Sequence, residues 1–535
     1  MVDEDRVAAG RPRRRGPALV AVLLAPLLLG PLGPLVLPAG AATACSPGAP
    51  TDVDGGGPDV VLGLPSFDLP GKPDAGALVV FSDLAGPGES DPRGATRRTV
   101  VTAADVGLPT QAGARFGAAV VVVRRLGTCA ALVVGAPGED VAGRRGAGRV
   151  HVLPGSPQGL GSPLESLDES LLPGLGGAQA GAGFGSAVVA DGADWMAVGV
   201  PGRDLGGAVD AGRVVRVDRR EPTGQRVDVV QQGGRGAGTP ERGDRFGEVL
   251  EVAPSGVGPL LLVGVPREDV GTRGDAGAVA FQAGDRPLSM VTQDSPGAGG
   301  TAEAGDRFGA ALDSWATPAG DHVALMAAVG VPGEDLGRTV DAGLVGYVAV
   351  DLFDTSDTSV GPLEGRSLTV SQDSRGVPGV VERDDRFGAA VLTGEFGVDA
   401  GRLHLVVGSP GEDVGRTADA GQVTLTGIRI TDGTPLSAFG GGWTQDTPGV
   451  RGVPERGDGF GSALAGVQLA RAEDDEDSVH VVVLVTVPGE DDGTTSGTGM
   501  AHLGLPGGGG SVPLVPPARQ AGAGTGMRAV DGRLG

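Results

Sequence analysis

Helical periodicity, clustered histidine and paired cysteine motifs are what this 535-residue sequence lacks. Beyond the first 44 residues no long stretch repeats apolar residues at helical spacing, which argues against α-helical and α/β folds. The five histidines, His151, His322, His404, His480 and His502, do not cluster at metal-ligand spacing. There is no Gly-x-Ser-x-Gly elbow and no glycine-rich phosphate loop ahead of a helix, so the common hydrolase, zinc and nucleotide signatures are missing. Only two cysteines occur, Cys45 and Cys129. In an oxidising compartment they would form one disulfide; lipidation of Cys45 is the alternative, although Ala42 stands where a lipoprotein signal usually has leucine. Lysine is nearly absent, Lys72 being the single one, and 66 acidic against 42 basic residues give a formal net charge of −24. Such a surface repels phosphate backbones, which argues against nucleic acid or anionic membranes as partners.

What is present is glycine, 101 residues, with 41 prolines, alongside 40% hydrophobic residues rich in Val, Leu and Ala. That apolar share suffices for a core, so disorder is not expected. Residues 1–44 read as an export signal: a basic stretch from Arg11 to Arg15, an apolar run from Ala18 to Leu29, and small residues up to Cys45. Pro26, Pro31 and Pro34 interrupt the apolar stretch, so no membrane span is expected there. The remaining residues, 45–535, form one domain of an exported, monomeric protein in this reading.

That domain repeats itself. Seven prolines, Pro65, Pro137, Pro201, Pro266, Pro332, Pro410 and Pro488, each have an aspartate three residues on and a glycine eleven residues on. The glycines are Gly76, Gly148, Gly212, Gly277, Gly343, Gly421 and Gly499. Upstream of six of them stands Phe-Gly, at Phe116, Phe184, Phe246, Phe308, Phe387 and Phe460, with a Phe-to-Pro gap of 17 to 28 residues. A variable gap beside a fixed register marks a loop followed by a tight hairpin. Val-rich runs punctuated by glycine and proline give four strands per unit. Seven such units predict an all-β fold, a seven-bladed β-propeller of four-stranded antiparallel blades. Each phenylalanine should wedge between neighbouring sheets; each later glycine should take positive φ or make room for a neighbour. The first unit lacks a Phe-Gly strand, and Gln520 to Gly535 aligns with Gln111 to Gly127, Thr525-Gly526 standing in for Phe-Gly. The C-terminal segment is therefore expected to complete the first blade and close the ring.

Phe-Gly, the Gly-x-Pro strand end and Asp-Ala-Gly together resemble the FG-GAP repeats of integrin alpha-subunit propellers and their secreted bacterial relatives. The resemblance spans residues 50 to 535. It implies an aspartate-rich calcium loop, D-x-[DN]-x-D-G-x-x-D, between the Phe-Gly strand and the Gly-x-Pro strand. Here that pattern is eroded. Asp52, Asp54 and Asp59 survive, but Gly56 replaces a ligand and the loop is one residue short; Glu395 and Asp399, Asp191 to Asp194, and Glu473 to Ser478 keep less. Calcium wants six to eight oxygens, so calcium is possible as a cofactor and most sites are expected to be empty.

The proline hairpins and the connections between blades share one face of the disc. On it Asp68, Asp140, Asp204, Asp269, Asp335, Asp413 and Asp491 form a candidate acidic ring, with Glu139, Glu268, Glu334, Glu412 and Glu490 nearby. Each aspartate could equally be capping its own turn. Arg242-Gly243-Asp244 and Arg456-Gly457-Asp458 spell an adhesion tripeptide, but both fall inside the repeat's own consensus. No catalytic residue is assigned. The expected function is a secreted, non-catalytic binding or adhesion module for an extracellular protein or glycan. The alternative is a secreted carbohydrate-active enzyme using carboxylates on that face.

Overall fold

The structure is a computed structural model. It describes residues 51–55, 57–82, 84, 97–124, 129–220, 224–233, 238–253, 258–319, 322–351, 368–394, 396, 403–428, 435–468, 481–491, 497–504, 511–515 and 528–529. The expected export signal, Cys45 and Thr525-Gly526 lie outside these residues.

Seven four-stranded antiparallel sheets follow one another along the chain. Blade 2 runs Ala119–Val123, Ala131–Ala136, Arg149–Pro154 and Glu165–Leu167, with each strand pairing the next. Blades 3 to 7 repeat this order, opening with Val188–Asp191, Val249–Ala253, Ala311–Ala319, Ala390–Gly394 and Leu464–Gln468. The opening strands of successive blades lie against one another, so they surround the axis. Blade 1 consists of Val60–Leu64, Ala77–Ser82 and Arg97–Val101, and its fourth member is Arg528–Ala529. There Leu62 pairs with Ala529 and Gly63 with Arg528. The chain's two ends thus share one sheet, which removes the exposed edge an open ring would present. The single helical piece among the described residues is a 3-10 turn, Ala103–Val106, and no described helix is long and apolar enough to cross a membrane.

The core sits between blades. Each of six seams has an apolar cluster drawn from two sheets and centred on one repeat phenylalanine, and all six phenylalanines are at most 2% exposed. A fully buried phenylalanine contributes roughly 2–3 kcal/mol. The seventh seam, between blades 7 and 1, uses Phe81 and the partly buried Phe67 instead.

Glycine recurs because backbone meets backbone at these seams. A Cβ on Gly76, Gly148, Gly212, Gly277, Gly343 or Gly421 would stand 2.3–2.4 Å from the backbone of the next blade's phenylalanine, and all six have φ between +81° and +89°. Both expected reasons for glycine therefore hold together. The contact lets each phenylalanine N–H donate across the seam, as Phe116 does to the Ala75 carbonyl at 3.1 Å.

Closure yields a first prediction. Deleting residues 516–535 should strip Val60–Leu64 of its Arg528–Ala529 partner, lower the melting midpoint by at least about 5 °C and promote association. A truncated protein that melts like the full chain and elutes as a monomer would show that the Leu62–Ala529 pairing does not hold the ring.

Candidate functional site

All seven ring aspartates have the same local job. The Oδ1 of Asp68, Asp140, Asp204, Asp269, Asp335, Asp413 and Asp491 accepts a hydrogen bond from the backbone N–H six residues later, at 2.7–3.0 Å. The carboxylate substitutes for a missing strand partner inside the hairpin. The residue receiving this cap is left-handed throughout: Asp74, Asp210, Asp275, Asp341 and Asp419 in five hairpins, Gly146 and Gly497 in the others.

Asp140 of the ring lines a sizeable cleft. This cleft, about 900 Å³, opens over the hairpins of blades 1 to 3. Its charged lining is Asp74, Asp140, Asp210, Arg115, Arg145 and Arg245, and the rest is mainly Gly, Ala and Pro. It shares Ser186 with a second cleft, about 520 Å³, walled by the opening strands through Val120, Val188 and Leu250 and rimmed by Glu248, Arg267 and Arg307. The two clefts meet at Ser186.

A second set of groups joins glutamates already expected on this face to glutamines and aspartates from the connections between blades. In blades 4 to 7 a glutamine from the preceding interblade connection donates its Nε2–H to the glutamate two residues after the proline. The pairs are Gln232 with Glu268 at 2.6 Å, Gln293 with Glu334 at 2.7 Å, Gln372 with Glu412 at 2.5 Å, and Gln445 with Glu490. Close to each lies the aspartate two residues before the phenylalanine, buried at 0–1% exposure: Asp244, Asp306, Asp385 and Asp458. Burial, with the neighbouring carboxylates adding to it, pushes the aspartates up to about 6 and the glutamates up to about 7. Blades 2 and 3 solve the same problem with cations. Glu139 accepts from Arg149 at 2.6 Å and contacts His151 Nε2 at 3.0 Å. In blade 3 the acid is replaced by Arg203, facing Glu169 at 3.1 Å, and Arg213 Nε reaches the same carboxylate at 2.9 Å. The burial of Asp244 and Asp458 also removes both Arg-Gly-Asp tripeptides from presentation.

The eroded calcium loop is better formed than its spacing suggests. The carboxylates of Asp52, Asp54 and Asp59 place ligand atoms within 4.8 Å of one another and all three residues are buried; among the described residues this is the one group of three such ligands. Ser82 Oγ donates to Asp54 Oδ2 at 2.6 Å, Arg97 contacts the same oxygen, and Val53 N–H donates to Asp59 at 2.8 Å. Asp54 Oδ1 is buried without a partner. An orphaned carboxylate oxygen beside two more carboxylates fits a divalent cation, which these three residues would hold. Asp191, at the end of the opening strand of blade 3, is instead paired with Arg220 at 3.1 Å. Glu395, Asp399 and Glu473 to Ser478 lie outside the described residues.

Cys129 is 5% exposed, and no described cysteine is free. The N–H of its neighbour Ala130 donates to the Asp52 carbonyl at 2.8 Å, so the strap carrying the acidic loop lies beside it.

No family model and no curated protein matches the chain. Among solved structures it is similar to the periplasmic gluconolactonase of Pseudomonas aeruginosa, at 12% identity and a TM-score of 0.42, over 88% of this chain and 98% of that one. It is also similar to a GH32 beta-fructofuranosidase of Bombyx mori, at 10% identity and a TM-score of 0.27, over 76% and 87%. These likenesses concern the course of the backbone; the seven blades themselves are read from strand pairing.

Proposed function

We propose that the chain is an exported FG-GAP-type propeller that binds an extracellular ligand on its proline face without transforming it. One observation carries this: the 900 Å³ cleft is lined by three arginines and three aspartates drawn from the proline hairpins and the connections between blades. Arg115, Arg145 and Arg245 offer donors while Asp74, Asp140 and Asp210 offer acceptors, an arrangement suited to a hydroxyl-rich or charged partner. The expected Cys45–Cys129 bridge would anchor the chain's beginning beside the acidic loop, and the cation held there would stiffen blade 1.

A second reading, a carbohydrate-active enzyme, draws on three carboxylates sharing that cleft. Purified protein offered a panel of polysaccharides and extracellular proteins should retain a ligand while leaving its chain length unchanged. Release of new reducing ends, abolished by Asp210→Asn, would choose the enzyme.

A further inference from the structure

Six seams on the proline face place two left-handed residues side by side. The residue nine after each proline offers its carbonyl to the N–H of the residue before the next phenylalanine. The pairs are Asp74 with Arg115, Gly146 with Gly183, Asp210 with Arg245, Asp275 with Arg307, Asp341 with Arg386, and Asp419 with Gly459, at 3.0–3.1 Å. The four arginines have φ between +55° and +59°, where a side chain is strained and glycine is not. Gly183 and Gly459 make the same bond, so the ring does not require arginine there. Where glycine stands, a serine three residues on, Ser186 or Ser462, bonds back to its carbonyl at 2.7 Å. Arginine is thus kept at four seams against a local cost, and its reason lies in what the side chain does.

Among the described residues no ion pair joins any of these arginines to the aspartate of its own seam; Arg245 leans instead on Glu248 at 3.2 Å. Arg115 and Arg245 face the surface cleft together with Asp74 and Asp210, and Arg307 faces the axial cleft. Guanidinium and carboxylate groups from neighbouring seams therefore line one mouth without an ion pair between the arginine and the aspartate of the same seam.

We propose that this mouth binds an acidic saccharide. This rests on the binding reading above and names its ligand class. A sugar carboxylate takes the guanidinium in a forked pair, and the flanking hydroxyls donate to the aspartates. A neutral sugar has no aromatic platform in the cleft, whose lining is charged residues, Gln111, Ser186, glycine, alanine and proline. A run of consecutive acids, as in an acidic peptide, meets an aspartate beside each arginine and is repelled. A saccharide that spaces one carboxylate among several hydroxyls satisfies both.

The test uses the full chain and three probes: oligogalacturonate, its methyl ester and polyglutamate, each followed by titration calorimetry. Oligogalacturonate should bind, with the ester and polyglutamate at least about tenfold weaker. Arg115→Gly combined with Arg245→Gly should weaken oligogalacturonate at least about tenfold while the melting midpoint holds or rises, because glycine already serves at two seams. Equal binding of the ester, stronger binding of polyglutamate, an unaffected double variant, or lost binding that tracks a lowered midpoint would each overturn the assignment. If a neutral glycan or a protein binds this face and oligogalacturonate does not, the acidic-saccharide assignment alone falls. If nothing in either panel binds, the binding reading falls with it.

Discussion

Gly199→Ala is expected to prevent the ring from folding, whereas Gly274→Ala should leave the melting midpoint within about 2 °C of the parent. Both add one methyl group, and they differ in what it meets. At Gly199 the new Cβ would stand 2.0 Å from the carbonyl oxygen of Gly247 in the next blade. Gly199 is held by strand pairing and Gly247 follows Phe246, which is bridged to Gly212 across the seam, so neither can yield without parting two sheets. The same distance, 2.0–2.2 Å, recurs at Gly63, Gly135, Gly264, Gly330 and Gly408. Such a clash lies beyond ordinary overpacking, which costs about 1–3 kcal/mol, and a domain's whole stability is about 5–15 kcal/mol. At Gly274 the nearest atom would be Asp269 Oδ1 at 3.6 Å, an ordinary contact, and the lost flexibility of the unfolded chain favours the native state. Blade 7 supplies a natural comparison: Thr486 occupies the equivalent place, fully buried, its Oγ1 accepting from Ala463 N–H at 2.9 Å. It is the seam whose next blade has no Phe-Gly strand of its own. Thermal melts of the two glycine variants decide the matter, and a Gly199→Ala protein that melts normally would mean the blades are less tightly apposed.

That contrast explains what could be read from the chain alone. Gly76 and its counterparts recur at a fixed offset from proline, and Phe116 and its counterparts recur in six of the blades, because a backbone-to-backbone seam accepts one residue type and the demand returns with each blade. The offset from Pro to Asp is equally rigid, since the Asp140 cap is local to its own turn. The Gln–Glu–Asp sets escaped because their members come from three separated stretches. Glu412 is already expected on the acidic face, but Gln372 and Asp385 each look like an ordinary loop residue until two blades stack. Arginine before phenylalanine escaped for another reason: its significance is a backbone angle, and the residue name carries no φ. The Asp52 loop seemed eroded when counted along the chain, yet Ser82 and Arg97, which complete its surroundings, arrive from other strands of the blade.

Those buried acids should make the protein less stable as pH rises from about 5 to 8. Glu412, normally near 4.5, is pushed up to about 7, and Asp385, normally near 3.8, up to about 6, burial being the first cause in both. The groups facing this pair, Glu382, Asp384 and Asp413, are also acidic. Between about pH 4 and 7 the folded ring therefore holds protons that the unfolded chain has released. Stability must fall with pH wherever the native state binds more protons, so the contribution is complete below the unfolded values and lost as pH climbs through the folded ones. Each unit of displacement corresponds to about 1.4 kcal/mol, and four blades carry such pairs, so a midpoint lower by at least about 5 °C at pH 8 than at pH 5 is expected. Replacing the acids by their amides, Asp385→Asn with Glu412→Gln, removes one of the four titrating sets. It should flatten the profile and stabilise the protein at pH 8 more than at pH 5. Calorimetric melts across this range check the sign directly: a midpoint that is level or climbs toward pH 8 would mean the pairs ionise freely, and the clusters would then be polar packing with no proton held between the blades.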